Sequence, residues 1–214
     1  LATIDAQQRI HTLPPLKPSR GALAWRALAR DAGMPHVPVH ALPMHGLERR
    51  LHALGLDADD YAQRTGLMQI PEPSRLALAG FDRYRRPLWL GDGAGRAWNR
   101  MRAAASADGI VLDAISGYRS HAYQMGIFAR KRARGLGVDE ILAVNAAPGF
   151  SEHHSGDALD IGSDGEPPAE ESFEHTAAFR WLSDHAGDFG FRLSYPRDNP
   201  HGIVYEPWHW RWIG

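Results

Sequence analysis

The sequence predicts an α+β fold: a small antiparallel or mixed sheet with helices packed on one face, preceded by an irregular, partly helical N-terminal arm. Three observations lead there. Short β-branched or alternating segments stand between stretches of helical periodicity, and helices and long loops join them. The last two strands are separated only by a turn-rich loop, which favours antiparallel pairing. Residues 1 to about 45 carry proline too often for either regular element.

In that arm, Pro14, Pro15, Pro18, Pro35, Pro38 and Pro43 enforce extended or turn backbone around one helical patch at residues 22–30. His11, His36, His40 and His45 show no tight ligand spacing and read as scattered surface or packing side chains. Between residues 46 and 66, Leu47, Leu51, Leu54, Leu56 and Tyr61 predict two short amphipathic helices, the second capped by Asp57. A proline-bounded linker follows, and the segment from Tyr84 to Leu90 is read as an edge strand.

Ala97, Trp98, Met101, Ala104 and Ala105 recur at helical spacing over residues 95–107, with Gly109 as the stop. Residues 110–116 are short, β-branched and glycine-bounded, which predicts a central strand. Ser120 opens a helix that runs to Arg134 and ends at Gly135. Residues 158–162 predict a strand, 174–188 a helix ended by Gly190, and 191–195 and 203–212 the closing pair of strands.

With 214 residues, 43% hydrophobic content and a mean hydropathy of −0.39, the chain can bury a substantial core. The reading divides it at residue 90, into a wrapping region 1–90 and a segment 91–214 that carries the chemistry. A formal charge of −1 and a pI near 6.9 give no electrostatic case for nucleic acid. The basic run Arg130-Lys131-Arg132-Ala133-Arg134 reads as a solvated helix face. No apolar run of about 18 residues is present, so no transmembrane segment is expected. Leu1 rather than Met at the start implies an upstream segment and leaves room for a signal peptide.

The chain has no cysteine, which leaves imidazoles and carboxylates as its strong zinc donors. These concentrate in Ser151-Glu152-His153-His154-Ser155-Gly156-Asp157-Ala158-Leu159-Asp160 and in Tyr205-Glu206-Pro207-Trp208-His209-Trp210. Two His and one acid with an open fourth position is a common hydrolytic zinc site. Strand parity puts Asp160 on the polar face while Leu159 and Ile161 enter the core. His153, Asp160 and His209 are therefore the candidate ligands of one zinc ion. Glu206 is the candidate general base and Arg119 the candidate electrophile for a developing oxyanion. In a flat strand Glu206 and His209 would face opposite sides, so a bend at Pro207 is required.

These two segments, with Ser116-Gly117-Tyr118-Arg119-Ser120, resemble the VanY-like D-alanyl-D-alanine carboxypeptidases, zinc peptidases grouped with lysostaphin and hedgehog-type proteins. The pattern Ser-x-His-x-x-Gly-x-Ala-x-Asp followed by Glu-x-x-His is specific, and the likeness runs from about residue 95 to the C-terminus. The resemblance implies a hedgehog/DD-peptidase-like fold, His153, Asp160 and His209 as ligands, Glu206 as base and Arg119 as the substrate-stabilising arginine. It also implies that Gln124, Ser151, Tyr205 and Trp208 line the pocket, with Ser116 and Tyr118 beside them. His154 stands where the family often has Gln, and is expected behind the ligands or at the surface. The implied substrate is a peptidoglycan stem peptide ending in D-Ala, cleaved in the periplasm or otherwise outside the cytoplasmic membrane by a monomer. The alternatives are an L,D-carboxypeptidase, a dipeptidase or endopeptidase on cell-wall peptides, or a non-catalytic zinc-stabilised binding module.

Overall fold

The computed structural model describes residues 3–4, 10–11, 34–41 and 44–214. The helical patch expected at residues 22–30 and most of the arm's prolines lie outside the described residues. Strands β1 (Thr3–Ile4) and β2 (Ile10–His11) pair antiparallel. Strand β3 (His36–Pro38) joins β4 (Arg75–Phe81) and β5 (Pro87–Leu90) in a three-stranded antiparallel sheet of that order. β5 lies at its edge, where Pro87 leaves no ladder bond unmade. The separate strand β4 was not expected from the sequence. Its hairpin to β5 is held by Asp82, whose carboxylate accepts from the backbone N–H groups of Tyr84 and Arg86 and from Arg86 Nε at 2.6 Å.

Helices α1 (Met44–Ala53) and α2 (Ala58–Thr65) confirm the expected pair, and Asp57 caps α2 by accepting from Asp60 N at 2.8 Å. Helix α3 (Asp92–Ala107) follows β5, and after it comes β6 (Asp113–Ser116). Helix α4 (His121–Ala133) starts where Ser120 Oγ accepts from Tyr123 N, and the short α5 (Val138–Ala143) follows. Strand β7 is Ala158–Gly162, as expected. The helix expected at 174–188 is split into a 3-10 turn at Glu171–His175, α6 (Ala177–His185) capped by Thr176, and a second 3-10 turn at Ala186–Phe189. Strands β8 (Phe191–Leu193) and β9 (His209–Trp212) close the chain.

The second sheet has the order β6-β7-β9-β8 and every pairing in it is antiparallel. β6 is thus an edge strand, not the central one. Its β-branched lead-in at residues 110–112 does not pair: Ile110 N instead bonds Ala105 O to close α3, and Val111 is exposed. The strand expected at 203–212 is shortened to β9, because a turn at Pro207 and Trp208 precedes it.

Alternation along β7 and β9 divides the sheet's two faces. Leu159, Ile161 and Trp210 join one core with Trp98 and Met101 of α3, Leu182 of α6, and Leu88 and Leu90 of β5. Helices α3 and α6 cover this face, and Asp160 and His209 occupy the opposite one. A second core unites Leu47 and Leu51 of α1, Leu56 and Tyr61 with Phe128 of α4, Ile141 of α5 and Phe150. Each large apolar side chain fully buried in this way contributes about 1.5–3 kcal/mol. Among the described residues, no helix is long and apolar enough to cross a membrane.

Candidate metal centre

Ser151 precedes a 3-10 turn, Glu152–Ser155, which presents His153 to β7. The turn ends at Gly156 with φ +80°, where a Cβ would stand 2.8 Å from Gly91 N, so only glycine fits. His153 Nδ1 lies 2.7 Å from the carbonyl of Gly117. A carbonyl only accepts, so Nδ1 carries the proton and Nε2 bears the lone pair. A Cβ on Gly117 would lie 2.8 Å from Trp89 O, so glycine lets this turn pack closely against β5.

His153 Nε2 is buried, makes no hydrogen bond among the described residues, and stands 3.2 Å from Asp160 Oδ1. His209 Nδ1 reaches the same oxygen at 3.0 Å, because Asp160 and His209 are direct partners across β7 and β9. Ligand atoms of His153, Asp160 and His209 all lie within 4.8 Å of one another. An orphaned imidazole lone pair, a second imidazole and a carboxylate converging in a buried site fit a zinc ion held by two nitrogens and one oxygen.

Two of the three donors already carry the charge state that ligation needs, His153 neutral and Asp160 ionised. Burial, followed by the Arg119 charge, lowers the His153 pKa to about 4, keeping it neutral. Burial would raise Asp160, but the imidazole of His153 holds it well below the usual carboxylate range. For His209, burial alone would lower the pKa, yet hydrogen bonds to Asp160 and Glu152 raise it to about 10.

His154 does not compete for the metal. Its Nδ1 donates to Arg119 O at 2.6 Å and its Nε2 accepts from Gly149 N at 3.0 Å, so both ring nitrogens are engaged. Burial keeps it neutral. One donor and one acceptor are what a glutamine amide would offer here. His154 lies behind the ligands, where it ties the Arg119 loop to the Gly149 turn.

A cleft of ≈ 370 Å³ opens over the group. Arg119, Gln124, Ser151, Tyr205, Glu206 and Trp208 all line it. Glu206 Oε2 is 3.9 Å from His209 Nδ1, and the bend anticipated at Pro207 is the turn in which His209 N bonds Glu206 O. Burial raises the Glu206 pKa to about 7. Arg119 Nη2 is 3.9 Å from Asp160 Oδ2, and its buried Nε has no hydrogen-bond partner among the described residues. Gln124 Nε2 donates to Ala146 O.

Ser116 and Tyr118 are corrections: neither lines the cleft. Ser116 pairs with Asp160 in the ladder, after which the chain leaves the sheet at Gly117 and Tyr118 N bonds Trp89 O. That turn carries the Tyr118 ring away, onto Val37 and Leu76, with its hydroxyl donating to Glu72 at 2.8 Å. Two residues were missed. Glu152 contacts His209, and Tyr195 lays its ring on His209 at 4.9 Å between centroids. The motif contained Glu152, but a 3-10 turn has no periodicity to show where a side chain points.

A family model described as VanY, D-alanyl-D-alanine carboxypeptidase, matches residues 88–214. A D-alanyl-D-alanine carboxypeptidase of Enterococcus faecalis (strain ATCC 700802 / V583) is 36% identical over 121 residues, covering 52% of this chain and 43% of that one. The bifunctional D-Ala-D-Ala dipeptidase and carboxypeptidase VanXYC of Enterococcus gallinarum is 31% identical over 150 residues, covering 67% and 76%. The solved structure of the LD-carboxypeptidase LdcB is similar with a TM-score of 0.62 and 34% identity, covering 67% of this chain and 70% of that one. The chain spans about half the length of the first curated relatives it matches. With the match covering more than half of its residues, the chain belongs to the VanY D-alanyl-D-alanine carboxypeptidase family, whose members are zinc metallopeptidases.

Proposed function

We infer that this chain is a zinc-dependent D,D-carboxypeptidase that removes the terminal D-Ala from peptidoglycan stem peptides outside the cytoplasmic membrane. The observation that carries this reading is the position of Glu206. Its carboxylate lies 3.9 Å from His209 of the His153–Asp160–His209 group, in a cleft that the Arg119 guanidinium, 3.9 Å from Asp160, also lines. A pure binding module has no need of a buried carboxylate whose pKa is pushed toward neutrality beside a metal group.

His153 Nε2, Asp160 and His209 Nδ1 would hold the ion. Bound zinc supplies a Lewis acid at the scissile carbonyl and lowers the pKa of water toward ~7. Glu206 takes a proton from the attacking water as the C–O bond forms. It then delivers that proton to the leaving D-alanine nitrogen as the C–N bond breaks, so the carboxylate is regenerated. Arg119, permanently charged and with no hydrogen-bond partner at Nε among the described residues, stabilises negative charge on the substrate's oxygens. Burial of the site lets these charges act in a low dielectric.

The test is Glu206→Ala. The variant should keep wild-type zinc content while hydrolysis of an acyl-D-Ala-D-Ala peptide falls by about 10²–10⁴-fold. Retained turnover would remove Glu206 from the chemistry. Likeness to LdcB favours a second reading, cleavage of an L,D bond in tetrapeptides, and the name of VanXYC extends it to free D-Ala-D-Ala. Comparing tetrapeptide, pentapeptide and dipeptide as substrates separates the three.

A further inference from the structure

We propose that Glu152 is a positioning residue of the metal centre: clamped by Arg211, its carboxylate takes the Nε2–H of His209 and fixes that imidazole with Nδ1 turned toward the ion. This deepens the zinc reading above and rests on it. Glu152 is 6% exposed and precedes His153 on the same 3-10 turn, so one turn delivers a ligand and the group that orients another. Its Oε2 lies 2.9 Å from His209 Nε2 and its Oε1 lies 3.0 Å from Arg211 Nη1. Arg211 sits two residues beyond His209 on β9, and therefore on the same face of the strand.

An ionised carboxylate can only accept, so Nε2 keeps its proton against Glu152, and Nδ1, which shares its proton with Asp160 Oδ1 3.0 Å away, is the nitrogen that gives up its proton to bind the ion. Without Glu152, the ring could take the other tautomer or rotate, and part of the population would offer N–H to the metal. Arg211 engages the second carboxylate oxygen, which stops the group from turning and offsets the cost of burying its charge. A buried ion pair with no bearing on the metal would change folding stability alone. An orienting carboxylate changes metal affinity as well, and outer partners of metal-bound histidines typically affect it by about 10–100-fold.

The experiment measures zinc affinity by competition with a chromogenic chelator, alongside the melting temperature of each metal-free protein. Glu152→Ala should weaken zinc about 10–100-fold. In Glu152→Gln, Arg211 claims the amide oxygen and leaves the NH2 for His209, which imposes the wrong tautomer, so affinity should also fall. The double variant Glu152→Gln, Arg211→Met frees the amide to turn its oxygen to His209 and should recover part of the loss. The cobalt(II) visible spectrum should change in the single variants and move back toward wild type in the double one. Should Glu152→Ala fail to fold, the near-isosteric glutamine variants decide. Unchanged zinc affinity in folded variants, with wild type binding zinc, overturns this inference alone. Wild-type protein that binds no zinc overturns the reading of the site, and this inference with it.

Discussion

His154 illustrates what a single buried side chain does in this protein. It bonds Arg119 O and Gly149 N with its two ring nitrogens, so removing it strands a carbonyl and an amide in a dry interior. His154→Ala should destabilise the zinc-loaded protein by about 2–4 kcal/mol in urea unfolding, whereas His154→Gln, able to donate and accept, should lose much less. Equal losses in the two variants would argue that volume, not hydrogen bonding, is what the site requires. Much at this scale was legible in the sequence. Strand parity placed Asp160 opposite Leu159 and Ile161, and the need for Glu206 to reach His209 predicted the bend at Pro207. Ser116 and Tyr118 were misplaced because a contiguous motif does not reveal where the chain turns. Gly117 takes the backbone out of β6, and Tyr118 consequently faces the linker's Glu72.

Caps and stops made the helices readable. Asp57, Ser120 and Thr176 sit where their side chains accept from the first turn, and Gly66 and Gly190 end elements with φ of +65° and +78°. Strand positions were less readable, because a β-branched run predicts burial and not a place in the sheet order. Residues 110–112 suit a strand, yet Ile110 closes α3 instead, and β6 takes the edge. The early elements share their cores with the later ones: Leu47, Leu51 and Tyr61 pack with Phe128 and Phe150, and Ala79 of β4 belongs to the core of Trp98 and Ile161. We therefore expect a chain cut to residues 88–214 to be insoluble or to melt at least about 10 °C lower, through loss of several buried leucines. A truncated chain with unchanged melting temperature would mean that α1, α2, β3 and β4 add little to the fold.

Across the whole molecule, the site's charges link stability to pH and metal. His209 is raised from 6.5 to about 10 and Glu206 from 4.5 to about 7. Both folded values exceed the unfolded ones, so each contribution is complete below the unfolded value and lost as pH climbs through the folded value. His153 and His154, held neutral by burial, oppose this trend below their ordinary value of 6.5, so metal-free protein should lose stability progressively from about pH 7 to about pH 10. Zinc reverses the trend, because ligation needs deprotonated His209 and binding to the folded state adds stability. The rise in melting temperature on adding zinc should grow with pH between about 5 and 9, by about 2–4 °C per kcal/mol. A rise that is independent of pH would contradict the assignment of His209 as a titrating ligand.

The central claim is that the His153–Asp160–His209 group, Glu206 and Arg119 together hydrolyse a terminal D-alanine. Mass spectrometry of defined tetra- and pentapeptide muropeptides tests it most directly, after incubation with zinc-loaded protein, chelated protein and the zinc-loaded Glu206→Ala variant. The prediction is loss of one alanine from the pentapeptide with zinc-loaded wild type, abolished by chelation and by Glu206→Ala. Intact peptides with zinc-loaded wild type, or release of alanine that survives both treatments, would contradict it.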